Sequence, residues 1–385
     1  MKIVYCIDTI DRLGGIEQIT IAKVNALARI CGNEMWLVLA NNGESTRTRL
    51  KNVSVIDLEI HYYENDAQGG YIHALTDYTK KRRLHRRRLE LALQEINPDV
   101  VISTGMSEKN FLPTFKLKSN PVFIREVHFS RFYRSEQARS VREWLMAKVG
   151  ETLDYQWAIK KYDKIVVLTE AEKAGAWEQW DKVTIMPNPI TKEVKLQSTC
   201  NSKVAITAGR LMQVKNQEAL VNIWAKVVQR HSDWSLLIFG EGPQREYLTK
   251  KIEKQGLSNH VFLMGYTSGV QEQMAKASLF VLTSQTEGFS LVTLEAMSVG
   301  VPTVVYNCPG GIRYLVKDGV TGYLIPLNDE DTFAEKVCSL IENEELRKTM
   351  GQAALRESEQ YKIEIITQRW MKLFQELLDK KRGEK

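Results

Sequence analysis

Short runs of aliphatic and β-branched residues recur along the chain, each followed by a longer stretch whose apolar positions return every three or four residues. That alternation predicts parallel strands joined by crossover helices. In the first half, strands are predicted at Ile3–Ile7, Glu34–Leu39, Val100–Ser103, Val122–Arg125 and Lys164–Leu168, with helices at Ile16–Arg29, Arg82–Ile96 and Val141–Lys160. The pattern stops at Pro187-Asn188-Pro189, and a polar stretch through Ser202 reads as a linker. A second series follows, with strands at Val204–Ala208, Ser235–Phe239, Val261–Leu263, Leu279–Leu282 and Thr303–Tyr306 and helices at Asn216–Arg230, Pro243–Lys254, Ser290–Val299 and Asp329–Glu342. A last helix, Tyr361–Lys380, sets Ile363, Ile366, Trp370, Leu373 and Leu377 on one stripe, as core packing requires.

Two alternating halves of similar size make this an α/β chain of two doubly wound parallel-sheet domains facing a central cleft. The expected boundaries are 1–188 for an amino-terminal domain and 203–360 for a carboxyl-terminal one, with 361–385 forming a helix that packs back towards the first. Length supports the division, since 385 residues exceed one ordinary core.

Composition changes the picture little. The chain is 43% hydrophobic and 26% charged, as a soluble globular protein is, and disorder is excluded as its general state. Its net charge of +6 favours anionic partners without choosing among them. Five scattered cysteines with no CxxC pair argue against a disulfide framework or a zinc site and fit a reducing cytoplasm. The opening MKIVYCIDTIDRLGG is broken by Asp8 and Asp11, unlike the apolar core of a secretion signal. No segment approaches the roughly 18 consecutive apolar residues of a spanning helix. A cytoplasmic protein is expected, meeting any membrane from the inner face.

Three segments carry chemistry. After the first strand, Leu13-Gly14-Gly15-Ile16-Glu17 opens a helix, so Gly14 and Gly15 stand where backbone amides can face an anion, or simply form a tight turn, since the full GxGxxG spacing is missing. The second series begins with a strand and then Gly209-Arg210-Leu211-Met212-Gln213-Val214-Lys215-Asn216, with two cations just past a strand's carboxyl end. Arginine offers a planar fork and lysine a point charge, which suits a diphosphate; two solvated surface charges would read the same way. The most specific segment is Thr286-Glu287-Gly288-Phe289-Ser290-Leu291-Val292-Thr293-Leu294-Glu295-Ala296-Met297-Ser298-Val299-Gly300-Val301-Pro302. It places Glu287 in a loop and Glu295 about two turns along the following helix, where a carboxylate can accept two hydrogen bonds from a vicinal diol. The helix start near Ser290 and Leu291 also offers free amides to a phosphate. An exposed helical glutamate is the plainer reading of Glu295, but Leu294, Ala296 and Met297 beside it look buried.

Taken together, GGIE near residue 15, GRL followed by Lys215, EGFSLVTLEAMSVGVP, and Pro309-Gly310-Gly311-Ile312 before DGVTGYLI resemble the group 1 glycosyl transferases. That is the large retaining family 4 with the GT-B architecture of two Rossmann-like domains. The resemblance spans nearly the whole chain, its specific motifs lying mostly in 204–326. It implies a nucleotide-sugar donor, UDP-linked by default, with Arg210 and Lys215 on the diphosphate, Glu295 on the ribose hydroxyls and Glu287 on the transferred sugar. Gly14 and Gly15 would line the phosphate side from the first domain, with the amides of Phe289, Ser290 and Leu291 opposite. His128, in Arg125-Glu126-Val127-His128, falls where family members often carry a histidine near the reacting sugar, although a lone histidine at a strand end is also a common structural residue. The implied catalytic set is therefore Glu287, His128, Arg210 and Lys215, with no cofactor and no metal. Transfer of a hexose or N-acetylhexosamine to a glycan or lipid-linked acceptor, in surface polysaccharide, lipopolysaccharide or capsule assembly, is the implied setting.

Two features stay outside these motifs. The stretch HYYENDAQGGYIH reads as a loop, and it precedes a run in which Lys80, Lys81, Arg82, Arg83, Arg86, Arg87 and Arg88 crowd nine positions. The run is either a solvated helix face or a peripheral contact with anionic membrane, at about 1 kcal/mol per surface cation. Phe129, Arg131, Phe132, Tyr133, Arg134 and Trp144 mix aromatics with arginines, as an acceptor pocket or packing between domains would. A nucleotide-sugar epimerase, a glycogen-type phosphorylase or synthase, and a non-catalytic sugar-nucleotide-binding protein are the rival readings. The charge run alone forms no recognisable nucleic-acid module, so no nucleic-acid partner is expected.

Overall fold

The computed structural model describes residues 1–11, 14–41, 48–62, 71–128, 140–177 and 180–383. The chain divides into two compact units, Met1–Thr191 with Ile363–Lys385, and Lys192–Lys362.

The first unit holds a seven-stranded sheet in the order β3-β2-β1-β4-β5-β6-β7, every pairing parallel. Its strands are β1 (Lys2–Ile7), β2 (Glu34–Leu39), β3 (Val53–Asp57), β4 (Val100–Ser103), β5 (Val122–Glu126), β6 (Lys164–Val167) and β7 (Val183–Ile185). The register of β1 runs Ile3 against Met35 on one side and against Val100 on the other. The order reverses between β1 and β4, and in open α/β sheets the crevice at such a reversal is where ligands sit. β1, β4 and β5 are buried on both faces, as parallel strands covered by helices must be.

The helix Ile363–Gly383 completes one face of this unit. Ile366, Trp370, Leu373, Phe374 and Leu378 join a core with Ile3, Tyr5, Val24, Leu37 and Ile124. Leu377, expected on the stripe, sits at its edge, and Phe374 takes the central place.

The second unit holds a six-stranded parallel sheet, order β10-β9-β8-β11-β12-β13. The strands are β8 (Val204–Ala208), β9 (Ser235–Phe239), β10 (Val261–Gly265), β11 (Leu279–Leu282), β12 (Thr303–Tyr306) and β13 (Gly322–Ile325). Its reversal lies between β8 and β11. Trp224, on the helix Gln217–Arg230, is fully buried beneath β8 and β9 side chains such as Ala205 and Leu236.

Several elements differ from the sequence reading. β3, β7 and β13 are short sheet strands of three to five residues with too few positions to show a period. The helix expected from Arg82 begins at Tyr71, so the last residues of the expected loop are helical; 63–70 lie outside the described residues. The helix Glu344–Ser358 is polar along most of its length and buries Gly351, Ala354 and Ser358 beside Met350 and Arg347. A Cβ on Gly351 would stand 2.3 Å from the Gly300 carbonyl oxygen, so this helix packs too closely for an apolar stripe. The polar stretch 187–202 is partly built into the second unit: the Ser198 amide donates to Val299 at 2.7 Å and Cys200 is buried.

Candidate active site

In the second unit the loops that follow β8 and β11, the two strands flanking the reversal, are stitched together. The Gln285 amide donates to the Val214 carbonyl at 2.8 Å, and Thr283 Oγ1 donates to the Asn216 carbonyl at 2.8 Å. The first of these loops is held from its other side by β9: Gly209 N donates to Phe239 O and Leu211 N to Glu241 O, both at 3.0 Å. Gly240 permits this approach, because it sits at φ +134° and a Cβ there would lie 2.0 Å from the Gly209 carbonyl oxygen.

This framework places Lys215, in a 3₁₀ turn over Gln213–Lys215, against Glu287. Lys215 Nζ lies 2.7 Å from Glu287 Oε1, with the carboxylate nearly buried and the ammonium about a quarter exposed. Glu287 is fixed through its backbone. Its amide donates to Pro309 O at 3.1 Å, and the Gly311 amide donates to its carbonyl at 3.2 Å. Gly310, at φ +111°, lies so close that a Cβ would stand 1.6 Å from the Glu287 carbonyl oxygen. The Pro309-Gly310-Gly311 turn is thus the seat of Glu287. The neighbouring Cys308 thiol is pushed up to about 12 by burial and then by the Glu287 charge, so it stays neutral.

Past Glu287 the chain enters the helix Leu291–Ser298 through Ser290, which adopts φ +60°, ψ +65°. A left-handed serine is strained, and such conformations concentrate at functional turns. Ser290 Oγ is 2.8 Å from Thr293 Oγ1 and does not cap the helix. Among the described residues, the amides of Phe289, Ser290 and Leu291 donate no hydrogen bond. The Phe289 ring is buried edge-on to Tyr361, 5.8 Å between centroids, which anchors the turn.

Glu295 lies one helical face further on, between fully buried Ala296 and nearly buried Leu294. Its carboxylate makes no hydrogen bond or ion pair among the described residues, and burial pushes it up to about 7, opposed only by the charge of Lys192. Arg210 is exposed; its carbonyl is held by Gln217 Nε2 at 3.1 Å. The structure therefore brings Lys215 and Glu287 into contact, and leaves Arg210 and Glu295 uncommitted among the described residues. Two residues were not read as site candidates. Lys192, in the presumed linker, is the cation acting on Glu295, and Arg313 is a third exposed cation acting on Cys308 together with Lys215. Lys192 lies in no motif, and Arg313 directly follows the Pro309-Gly310-Gly311-Ile312 segment.

In the first unit, Gly14 precedes the helix Gly15–Ala28 in extended conformation, with the exposed Gly15 as its first residue. His128 follows β5 and is buried, Nε2 standing 3.3 Å from Glu126 Oε1. Of the acceptor candidates, 129–139 lie outside the described residues, and Trp144 is 45% exposed on the helix Val141–Trp157. The basic run occupies the helix Tyr71–Ile96. Lys80, Arg82, Arg83 and Arg87 are exposed with no ion pair among the described residues, whereas Lys81 pairs with Asp77, Arg86 reaches Thr114, and Arg88 donates to the Leu58 carbonyl at 2.6 Å. His85, within the run, turns inward against Phe111 and is lowered to about 4 by burial, so it adds no charge.

A family model described as glycosyl transferases group 1 matches residues 191–357, the span that holds Arg210, Lys215, Glu287 and Glu295. That span is similar to the group 1 glycosyl transferases. The chain is 29% identical over 375 residues to an uncharacterized glycosyltransferase of Haemophilus influenzae, covering 96% of this chain and 98% of that one. It is 34% identical over 298 residues to an exopolysaccharide phosphotransferase of Streptomyces coelicolor, covering 76% of this chain but only 30% of the longer protein. Among solved structures, TarM of Staphylococcus aureus, determined with fondaparinux, α-GlcNAc-glycerol and UDP, superposes with a TM-score of 0.76 at 16% identity, over 97% of this chain and 99% of that one. The likeness establishes the GT-B fold.

Proposed function

We propose that this protein is a retaining glycosyltransferase that moves a hexose or N-acetylhexosamine from a UDP-sugar to a glycan or lipid-linked acceptor in surface polysaccharide assembly. The observation that carries the reading is the Lys215–Glu287 pair, seated at the reversal of the second sheet with Glu295 uncommitted nearby in sequence. An ammonium held 2.7 Å from a carboxylate is stored next to its alternative partner. When a diphosphate arrives, Lys215 and Arg210 take its oxygens, and Glu287 is released to accept hydrogen bonds from the sugar hydroxyls. The two cations then stabilise the charge that grows on the leaving UDP, which is electrostatic catalysis by preorganised groups. The free amides of Phe289, Ser290 and Leu291 add donors for the same phosphates, and Glu295 accepts from the ribose diol. In the first unit, Gly14 and Gly15 contribute backbone at the phosphate and His128 meets the transferred sugar. Because the positive charge comes from side chains, transfer is expected to survive a chelator.

The TarM crystals, which hold α-GlcNAc-glycerol and UDP, support a uridine nucleotide in the donor. The exposed cations Lys80, Arg82, Arg83 and Arg87 support a peripheral contact with anionic lipid at the inner face of the membrane. A panel of UDP- and GDP-sugars, screened by calorimetry and by release of free nucleotide, tests the assignment. UDP-sugar binding that falls at least tenfold in Glu287→Ala supports it; a folded Glu287→Ala enzyme that transfers sugar at the parental rate would sink it. Retention at low salt on vesicles containing anionic lipid, lost when Lys80, Arg82, Arg83 and Arg87 become glutamine, is the matching test of the membrane contact.

A further inference from the structure

Behind His128 the first unit buries a cation and a carboxylate that the scheme above does not use. Lys23, on the helix Gly15–Ala28, and Glu126, the last residue of β5, are each 2% exposed in their side chains and form an ion pair. Lys23 Nζ also stands 5.4 Å from the Tyr5 ring centre and 5.1 Å from that of Trp370, so its surroundings are apolar. Such a pair seldom stabilises a fold more than well-packed hydrophobic residues would, because both charges lose their water. Here two nitrogens converge on one oxygen: Lys23 Nζ and His128 Nε2 both approach Glu126 Oε1, while Oε2 is buried without a hydrogen bond among the described residues. Burial raises the Glu126 carboxyl, and the charge of Lys23 outweighs it and holds the group below the usual carboxylate range.

We propose that Lys23 and Glu126 are positioning residues that set the tautomer and orientation of His128 for sugar transfer. An ionised carboxylate beside Nε2 keeps the proton on that nitrogen and turns the opposite one, Nδ1, into the acceptor. Both ring nitrogens are buried and neither makes a hydrogen bond among the described residues, but only Nε2 faces a carboxylate, at 3.3 Å, which leaves Nδ1 for a sugar hydroxyl. Lys23 keeps Glu126 charged, and its helix begins at Gly15, so one ion pair couples the glycine turn to the histidine. The inference rests on the reading of His128 as a contact of the transferred sugar.

The test combines spectroscopy with kinetics on the full chain. Long-range nitrogen–proton correlation on histidine-labelled protein, with His128→Ala as the assignment control, reads the ring tautomer in the unsubstituted enzyme, where folding is not in question. The proposal expects the proton on Nε2; a proton on Nδ1 overturns it. Hydrolysis of a UDP-sugar gives the kinetics. Lys23→Met and Glu126→Gln are expected to lower kcat by about 10- to 100-fold with KM changed less than about twofold, and to cost nothing further in a His128→Ala background. An equal loss in both backgrounds would make the pair a structural brace and refute the inference with its premise intact. A parental rate in His128→Ala alone removes the premise, a result distinguishable from either of the others.

Discussion

Replacing Glu295 by glutamine should make the enzyme sturdier while disabling it. The Glu295 carboxyl is held at about 7 by burial, against an ordinary 4.5, and no hydrogen bond from a described residue offsets the loss of water. Below pH 4.5 the group is protonated both folded and unfolded and contributes nothing. Between about 4.5 and 7 the unfolded chain releases a proton that the folded chain retains, so stability falls as pH rises. Above 7 the carboxylate is charged in both states and the penalty is complete, about 3 kcal/mol at about 1.4 kcal/mol per pH unit. Glutamine has nearly the same shape and no charge. Glu295→Gln is therefore expected to raise the free energy of unfolding of the Lys192–Lys362 unit by up to about 3 kcal/mol at pH 8 and by nothing at pH 4.5. Urea titrations at the two pH values, followed by the fluorescence of Trp224 and Trp234, measure this. The same variant should bind UDP-sugar about 10- to 100-fold more weakly, since an amide cannot accept both ribose hydrogen bonds. A gain equal at both pH values, or a loss of stability at pH 8, would refute the reasoning.

Three further outcomes follow from the same geometry. Lys215→Met should weaken UDP binding by about 1.5–3 kcal/mol, or roughly 10- to 150-fold by calorimetry, because a charge-assisted contact is lost and Glu287 is left buried beside no cation. Gly310→Ala should abolish transfer by displacing Glu287, whereas Gly319→Ala, also at positive φ but with nothing within 4 Å of its Cβ, should cost only about 1–2 kcal/mol of stability and leave the rate intact. Trp370→Ala should destabilise the first unit by about 3–5 kcal/mol in denaturant titrations, since the ring is almost fully buried against Phe374 and below Lys23.

The alternation of apolar runs was enough to read ten of the parallel strands and the two-part α/β organisation, because buried parallel strands are continuous apolar segments. It failed where few large apolar side chains mark the buried face. The helix Glu344–Ser358 packs through Gly351 and Ala354 as well as Met350, and β13 has only four residues. At the candidate site, residue type and spacing singled out Lys215, Glu287 and Glu295 as candidates. They could not show that Lys215 and Glu287 already hold each other, nor that Pro309-Gly310-Gly311 is a backbone seat for Glu287. Lys23 was invisible for a related reason: a lysine within an ordinary amphipathic helix gives no sign that it faces inward until Glu126, 103 residues later, is brought opposite.

The helix Ile363–Gly383 closes the core of a unit whose strands all precede the second unit in the chain. The unit from Lys192 to Lys362 is continuous and can mature while synthesis proceeds, but the earlier-born one must wait for the helix that follows it. Ile3, Tyr5 and Ile124 therefore stay without their cover until the whole second unit has been made, an interval of exposed apolar surface during which chaperones have most to protect.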